Sequence, residues 1–289
     1  MKTLFSLLLG AFLLQGCGCS QMRHIVHDGT FAERTDTVQV YVDTLLKYPV
    51  ISDDSLLTLL QKRTFKYFWD YAHPVSGLAR ERLGSEELVT IGGSGFGIMC
   101  IPVAIERGFI SREEGTERLL KILDFLSVRA DRFHGAYPHW MDGATGETIP
   151  FSTYDNGGDI VETALLIQGL LTVKQYFNTS DPDEGVIRDL ITQIWESVEW
   201  DWYMHGQNVL YWHWSEDFAW DMDMQVNGWN EALIAYVLAA SSPTHSIPKE
   251  AYDQGWARNG KMCNGKRFYN ILLPLGPDFG GPLFFAHYS

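Results

Sequence analysis

The chain has 289 residues and a mass of 32.8 kDa, with 22 Lys+Arg against 36 Asp+Glu and a formal charge of −14. Aromatic residues make up 13% and hydrophobic residues 46%, which excludes a disordered chain. The acidic balance excludes a nucleic-acid partner, whose phosphates need a basic surface. Many aromatics on an acidic background suit a neutral, ring-shaped ligand, because indoles stack on sugar faces and carboxylates accept sugar hydroxyls.

Residues 1–16 read as a secretory signal: Lys2 is followed by a short apolar run, too short for a comfortable membrane span. The run ends Leu14-Gln15-Gly16-Cys17. A Leu and a small residue before Cys is the pattern that bacterial lipoprotein processing reads, which predicts cleavage before Cys17 and its acylation. The expected location is the bacterial cell envelope, with membrane contact through the lipid anchor only. Residues 17–50 are mixed and polar and read as a tether and lead-in; residues 51–289 form the globular part. Cys100, in an apolar run, reads as a buried small hydrophobe, and a disulfide to Cys263 is not expected. No Cys/His spacing suggests a metal, and no cofactor is expected.

Helical spacing of apolar residues then dominates. Leu56, Leu57, Leu59, Leu60, Phe65, Tyr67, Phe68 and Trp69 predict a first helix ending near His73-Pro74. A Gly-rich segment, Gly92 to Gly97, opens a second, through Arg107-Gly108. Ser111 to Glu114 predicts a capping box opening a third, to about Ala130. Asp159 opens a fourth reaching Phe177; Glu184 to about Val198 is a fifth, Gly228 to Ala240 a sixth, and Lys249 to Trp256 a weaker one. Strands are sparse, with half a hairpin predicted at 209–214. The expectation is an all-α chain of antiparallel helical pairs joined by long aromatic loops. Loops 131–158 and 199–227 both run into a helix that begins with carboxylates, and loops of that length are normally functional. The apolar, aromatic C-terminus, where polar frayed ends are usual, predicts that the sequence is a fragment or a chain with a premature stop.

The glycines at 92–97 lack the G-x-G-x-x-G spacing and any βαβ alternation, so they predict close approach of the backbone to a ligand at a helix N-terminus rather than dinucleotide binding, with tight packing of the helix end on its neighbour as the alternative. Two carboxylate clusters remain. In Asp155-Asn-Gly-Gly-Asp159-Ile-Val-Glu162, Asp159 and Glu162 have the spacing of an N-cap and its reciprocal partner, so capping alone accounts for them. Asp155 is not needed for capping, and three acids at one helix mouth raise at least one pKa. Glu231 opens an almost wholly apolar helix, where the helix dipole alone favours it. It stands beside Trp229 and near a loop holding Trp212, Trp214 and Trp220. Indoles desolvate a carboxyl, which is how a general acid for glycosidic cleavage is made.

Several segments match in order: Asp155 to Leu171, Trp212 to Ser215, Gly228 to Ile234, Ala239 to His245, and Asp278 to Ser289. Together they resemble the glycoamylase-like family, which includes bacterial endo-β-1,2-glucanases. The resemblance implies an (α/α)6 toroid, only part of it present here, and inverting hydrolysis of β-1,2-glucan. It places the acidic cleft on Asp155, Asp159, Glu162 and Glu231, with a further Asp in a C-terminal part that this sequence lacks. Glu231 is the favoured acid and Asp159 the second choice. Asp155 and Glu162 would shape the field and hold hydroxyls. Trp140, Trp212, Trp214 and Trp229 are candidates for sugar stacking, with Asn230 as a further substrate contact. The expected partner is a glucan oligo- or polysaccharide bound by a monomer. The competing expectation is a non-catalytic glycan-binding lipoprotein; a uronate lyase on a similar toroid is disfavoured by the acidic cleft.

Overall fold

The computed structural model describes residues 51–288. The lipobox, Cys17 and the tether lie outside the described residues. Among the described residues, no helix is long and apolar enough to cross a membrane.

The architecture is predominantly helical, with short strands confined to loops. Helices are α1 (Asp53–Trp69), α2 (Ile91–Glu106), α3 (Arg112–Val128), α4 (Ile160–Tyr176), α5 (Pro182–Glu196), α6 (Leu233–Ser241) and α7 (Leu283–Tyr288). Alternate helices pack together most extensively: α2 on α4, α4 on α6, and α3 on α5. Helix α4 buries nine residues, Ile160 through Val173, at the centre of the core. Helix α5 buries only Glu184, Ile187, Ile191 and Ile194. The sequence reason is plain: α2, α4 and α6 are apolar nearly all round, whereas α3 and α5 alternate apolar and charged positions.

The glycines of α2 are the clearest departure from their expected place. They lie inside the helix rather than ahead of it. A Cβ on Gly95 would stand 2.2 Å from the Leu165 carbonyl oxygen, and one on Gly169 would stand 2.3 Å from the Gly95 carbonyl oxygen. Helices α2 and α4 therefore touch backbone to backbone, which only glycine allows.

The capping box forms as expected, with Ser111 Oγ accepting from the Glu114 amide and Glu114 accepting from the Ser111 amide. The first helix forms as expected, α1 ending at Trp69, with only Phe65 buried and Leu57, Leu59 and Leu60 exposed. Two expectations need correction. Helix α6 starts at Leu233 rather than Gly228, because Asn227 to Ala232 form a turn in which Asn230 Oδ1 accepts from the Ala232 amide. Cys100 is partly exposed, and both it and Cys263 are free thiols.

The strands were mostly unforeseen. β1 (Leu88–Thr90), β2 (Trp140–Asp142) and β3 (Thr148–Ile149) form one small antiparallel sheet. Segment 209–214 splits between two partners: β5 (Leu210–Tyr211) pairs with β7 (Gln225–Val226), and β6 (His213–Trp214) pairs with β4 (Gly158–Asp159). β8 (Cys263–Phe268) and β9 (Ile271–Leu275) form an exposed hairpin turning at Tyr269 and Asn270, both at positive φ as a tight hairpin requires.

Candidate active site

The site is assembled by strand β4. Gly158 and Asp159 pair with Trp214 and His213 on one side, and Asp159 donates its amide to the Tyr137 carbonyl on the other. Two loops separated by some sixty residues of chain are thereby joined at the mouth of α4. Gly157 and Gly158 are required by proximity rather than by a bend. A Cβ on Gly157 would lie 2.2 Å from the Trp214 carbonyl, and one on Gly158 would lie 2.2 Å from the Tyr203 hydroxyl.

Asp159 is fully buried. Its Oδ1 accepts from the amides of Val161 and Glu162, both at 2.9 Å, so it is the N-cap of α4. Its Oδ2 stands 2.8 Å from His139 Nδ1. Glu162 does not return to the cap. Its Oε2 instead accepts from the Gly92 amide at 2.8 Å, across to α2. A Cβ on Gly92 would sit 2.5 Å from that oxygen, so the glycine makes room for the carboxyl. Capping thus accounts for Asp159 but not for Glu162.

The electrostatics follow from burial and crowding. Burial first, and then the Asp159 charge, push Glu162 up to about 7. The same two causes push Asp155 up to about 6. His139 goes the other way. Burial pulls its pKa down, but the hydrogen bond and charge of Asp159, with Glu162 and Asp155 behind them, hold it at about 9. Asp155 is buried, and its Oδ1 has no hydrogen-bond partner. It lies 3.7 Å from His213 Nε2, beyond hydrogen-bond length, and that nitrogen accepts from the Gly157 amide. His213 therefore carries its proton on Nδ1, and burial lowers its pKa.

A cavity of about 310 Å³ opens beside this cluster, lined among others by His139, Glu162, Trp212, Asn230 and Glu231. The two carboxylate clusters thus meet on one cavity. Their accessible members are Glu162 and Glu231; Asp155 and Asp159 lie behind the wall. Of the four expected indoles only Trp212 lines it. Trp214 packs edge-on against His134 and Trp202, with centroids at 4.8 and 5.9 Å. Trp220 tilts onto Trp202 and His205. Trp140 lies against Phe151, with centroids at 4.7 Å. Trp229 lies beside Gly276. The expected cage of indoles around Glu231 is therefore reduced to Trp212.

His139 and His213 were not singled out from sequence. Each is a polar residue inside an aromatic segment, Tyr137 to Trp140 and Tyr211 to Trp214, and that contrast was the available signal. His139, Asp155 and Asp159 also gather potential ligand atoms within 4.8 Å of one another. They fit a cation poorly, because His139 Nδ1 spends its contact on Asp159 and the ring holds a proton at neutral pH.

A family model described as "Putative glucoamylase" matches residues 223–289. The exo beta-1,2-glucooligosaccharide sophorohydrolase (non-reducing end) of Parabacteroides distasonis is 46% identical over 283 residues, covering 91% of this chain and 39% of that protein. The solved endo-beta-1,2-glucanase from Chitinophaga pinensis, in complex with sophorotriose and glucose, superposes with a TM-score of 0.80 at 50% identity. That match covers 83% of this chain and 60% of the other. The beta-1,2-glucanase structure from Parabacteroides distasonis gives 0.79 at 46% identity, over 83% of this chain and 37% of the other. The chain thus spans between 37% and 60% of the length of these relatives. In sequence and in fold, this chain belongs to the glycoamylase-like family.

Proposed function

We propose that the protein is a glycoside hydrolase of β-linked glucan, cleaving β-1,2 linkages with inversion. The observation that carries this reading is the meeting of Glu162 and Glu231, from chain segments about seventy residues apart, with Trp212 on one cavity. Glu231 is the general acid: it reaches the cavity from a turn, whereas Glu162 is anchored by the Gly92 amide. Glu231 delivers its proton to the glycosidic oxygen as the bond to the anomeric carbon breaks. Glu162, holding a proton near neutral pH, donates to a substrate hydroxyl. Inversion requires a base about 6.5–9.5 Å from the acid with a water between them. That carboxylate is proposed to come from the part of the relatives' length that this chain does not span.

Endo action is favoured by the likeness to the Chitinophaga enzyme, and the packing of alternate helices on one another supports the (α/α)6 toroid over residues 51–289. Residues 1–16 and Cys17 are proposed to place the protein, as a monomer, on a lipid anchor in the cell envelope.

The test is product analysis on β-1,2-glucan with the longest natural form of the protein. A broad ladder of oligosaccharides fits endo cleavage, and sophorose alone means exo cleavage. Glu231→Gln should lower turnover by about 10²–10⁴-fold while leaving binding largely intact. Binding without products from the wild type would leave only the glycan-binding reading, and a Glu231→Gln enzyme near wild-type rate would move the acid to Glu162.

A further inference from the structure

His139 belongs to no helix and caps nothing, yet it is one of the most constrained side chains of the cavity. Its Nδ1 is held by Asp159 Oδ2 at 2.8 Å. Its ring lies against Phe151, with centroids 4.3 Å apart and planes at 34°, and edge-on to Trp140 at 5.8 Å. Asp159 is itself immobile, since both backbone amides at the start of α4 bind its other oxygen. Fixing Nδ1 leaves Nε2 as the ring nitrogen available to a ligand. The side chain keeps 17% exposure, and His139 lines the cavity together with Glu162 and Glu231.

The chemistry of the lining narrows what His139 can do. The carboxyls around it, Asp159, Glu162 and Asp155, all bear on its charge, and the ring is an imidazolium at neutral pH. It cannot then take up a proton, so a general-base role is closed to it. What remains is donation: a charged N–H to a neutral oxygen is among the stronger hydrogen bonds available in such a cavity.

We propose that His139 is the cavity's fixed cationic donor, its Nε2–H binding a hydroxyl of the glucose unit beside the scissile bond, with Asp159 as the positioning residue behind it. This rests on the glucan-hydrolase reading for its substrate. It gives Asp159 a task other than acid catalysis: bound at Nδ1, it sets the ring's orientation and leaves Nε2–H to face the substrate. The arrangement also links capping to binding, because the same carboxylate that starts α4 aims the donor.

Two variants separate the ends of the ring. His139→Asn keeps a donor at the Nδ1 position for Asp159 and removes the Nε2 end. His139→Gln reaches the Nε2 position and gives up the bond to Asp159. The expected result is that His139→Asn raises KM for a β-1,2-linked glucotriose by roughly ten- to hundredfold, with folding intact by circular dichroism. His139→Gln should lie closer to wild type in KM. In the wild type, the imidazole Nε2–H resonance should shift when the trisaccharide is added, while the Nδ1–H resonance stays near its place. The inference is overturned if the wild type cleaves the trisaccharide and His139→Asn does so with unchanged KM, or if the Nε2–H resonance does not respond to bound sugar. A wild type that binds with the Nε2–H shift but forms no product removes the hydrolase reading and leaves this one standing.

Discussion

The charged form of Glu162 is destabilised by the surroundings that its proposed role depends on. Burial and the Asp159 charge raise its pKa from an ordinary 4.5 to about 7. The folded state therefore holds a proton that the unfolded state releases, and stability falls as pH rises from about 4.5 through 7. Glu162→Gln removes that penalty while its amide oxygen can still accept from Gly92. It should gain about 1–3 kcal/mol over wild type at pH 8 and little at pH 4. Denaturant unfolding at the two pH values measures this, and an equal effect at both would mean that the carboxyl is not strained. The same variant should lose activity, so stability and turnover would move in opposite directions. Asp159→Asn should instead cost stability at neutral pH, because it weakens both the cap and the bond to His139.

At the scale of elements, two contacts hold the helices in place. Gly95 and Gly169 let α2 and α4 touch through their backbones. Gly95→Ala should cost about 3 kcal/mol or more, since a carbonyl rather than a flexible side chain stands in the way. Gly185, inside α5, is the control, since a Cβ there would meet only the flexible Arg188 side chain at 3.8 Å: Gly185→Ala should gain about 0.5–1 kcal/mol. The second contact joins α3 to the start of α5. Arg112 Nε donates to Glu184 Oε1 at 2.6 Å, and Thr179 donates twice to the other oxygen at 2.8 Å. The guanidinium also lies over the rings of Tyr176 and Phe177. The Arg112 bond pulls Glu184 down to about 2. A depressed carboxyl contributes stability above its unfolded pKa and loses it as pH falls toward the folded value. Glu184→Gln should therefore cost about 1–3 kcal/mol at pH 7, with the gap to wild type closing between about pH 4.5 and 2. A gap that stays constant down to pH 2 would show that the ion pair contributes nothing.

For the whole molecule, the aromatics of the two loops mostly pack on one another, and of the four expected indoles Trp212 alone faces the cavity. Exposed apolar residues gather near the C-terminus, among them Ile271, Phe279 and Leu283, next to the exposed hairpin β8–β9. At the other end stands the proposed anchor. If Cys17 is acylated, the protein should partition into the detergent phase, and Cys17→Ala should shift it to the aqueous phase or leave the precursor unprocessed. A mature N-terminus elsewhere, found by mass spectrometry, would remove the anchor from this account.

What the sequence determined by itself was whatever depends on local chemistry. Apolar periodicity located the long helices, Ser111 and Asp159 marked their N-termini through short-range bonds, and the ordered acidic motifs pointed to the family. The capping-box spacing of Asp159 and Glu162 could not be resolved locally, because the competitor for Glu162 is Gly92, seventy residues earlier. The short strands escaped for the same reason: two- and three-residue ladders carry almost no periodic signal and exist only because loops 131–158 and 199–227 are brought together. Tertiary structure alone decided which tryptophan faces the cavity, that His139 is bound to a buried carboxylate, and that Asp155 and Asp159 lie behind the wall while Glu162 and Glu231 share it. Each of these is a through-space relation between distant residues, and a pKa or a contact set by such a neighbour has no local signature in the chain.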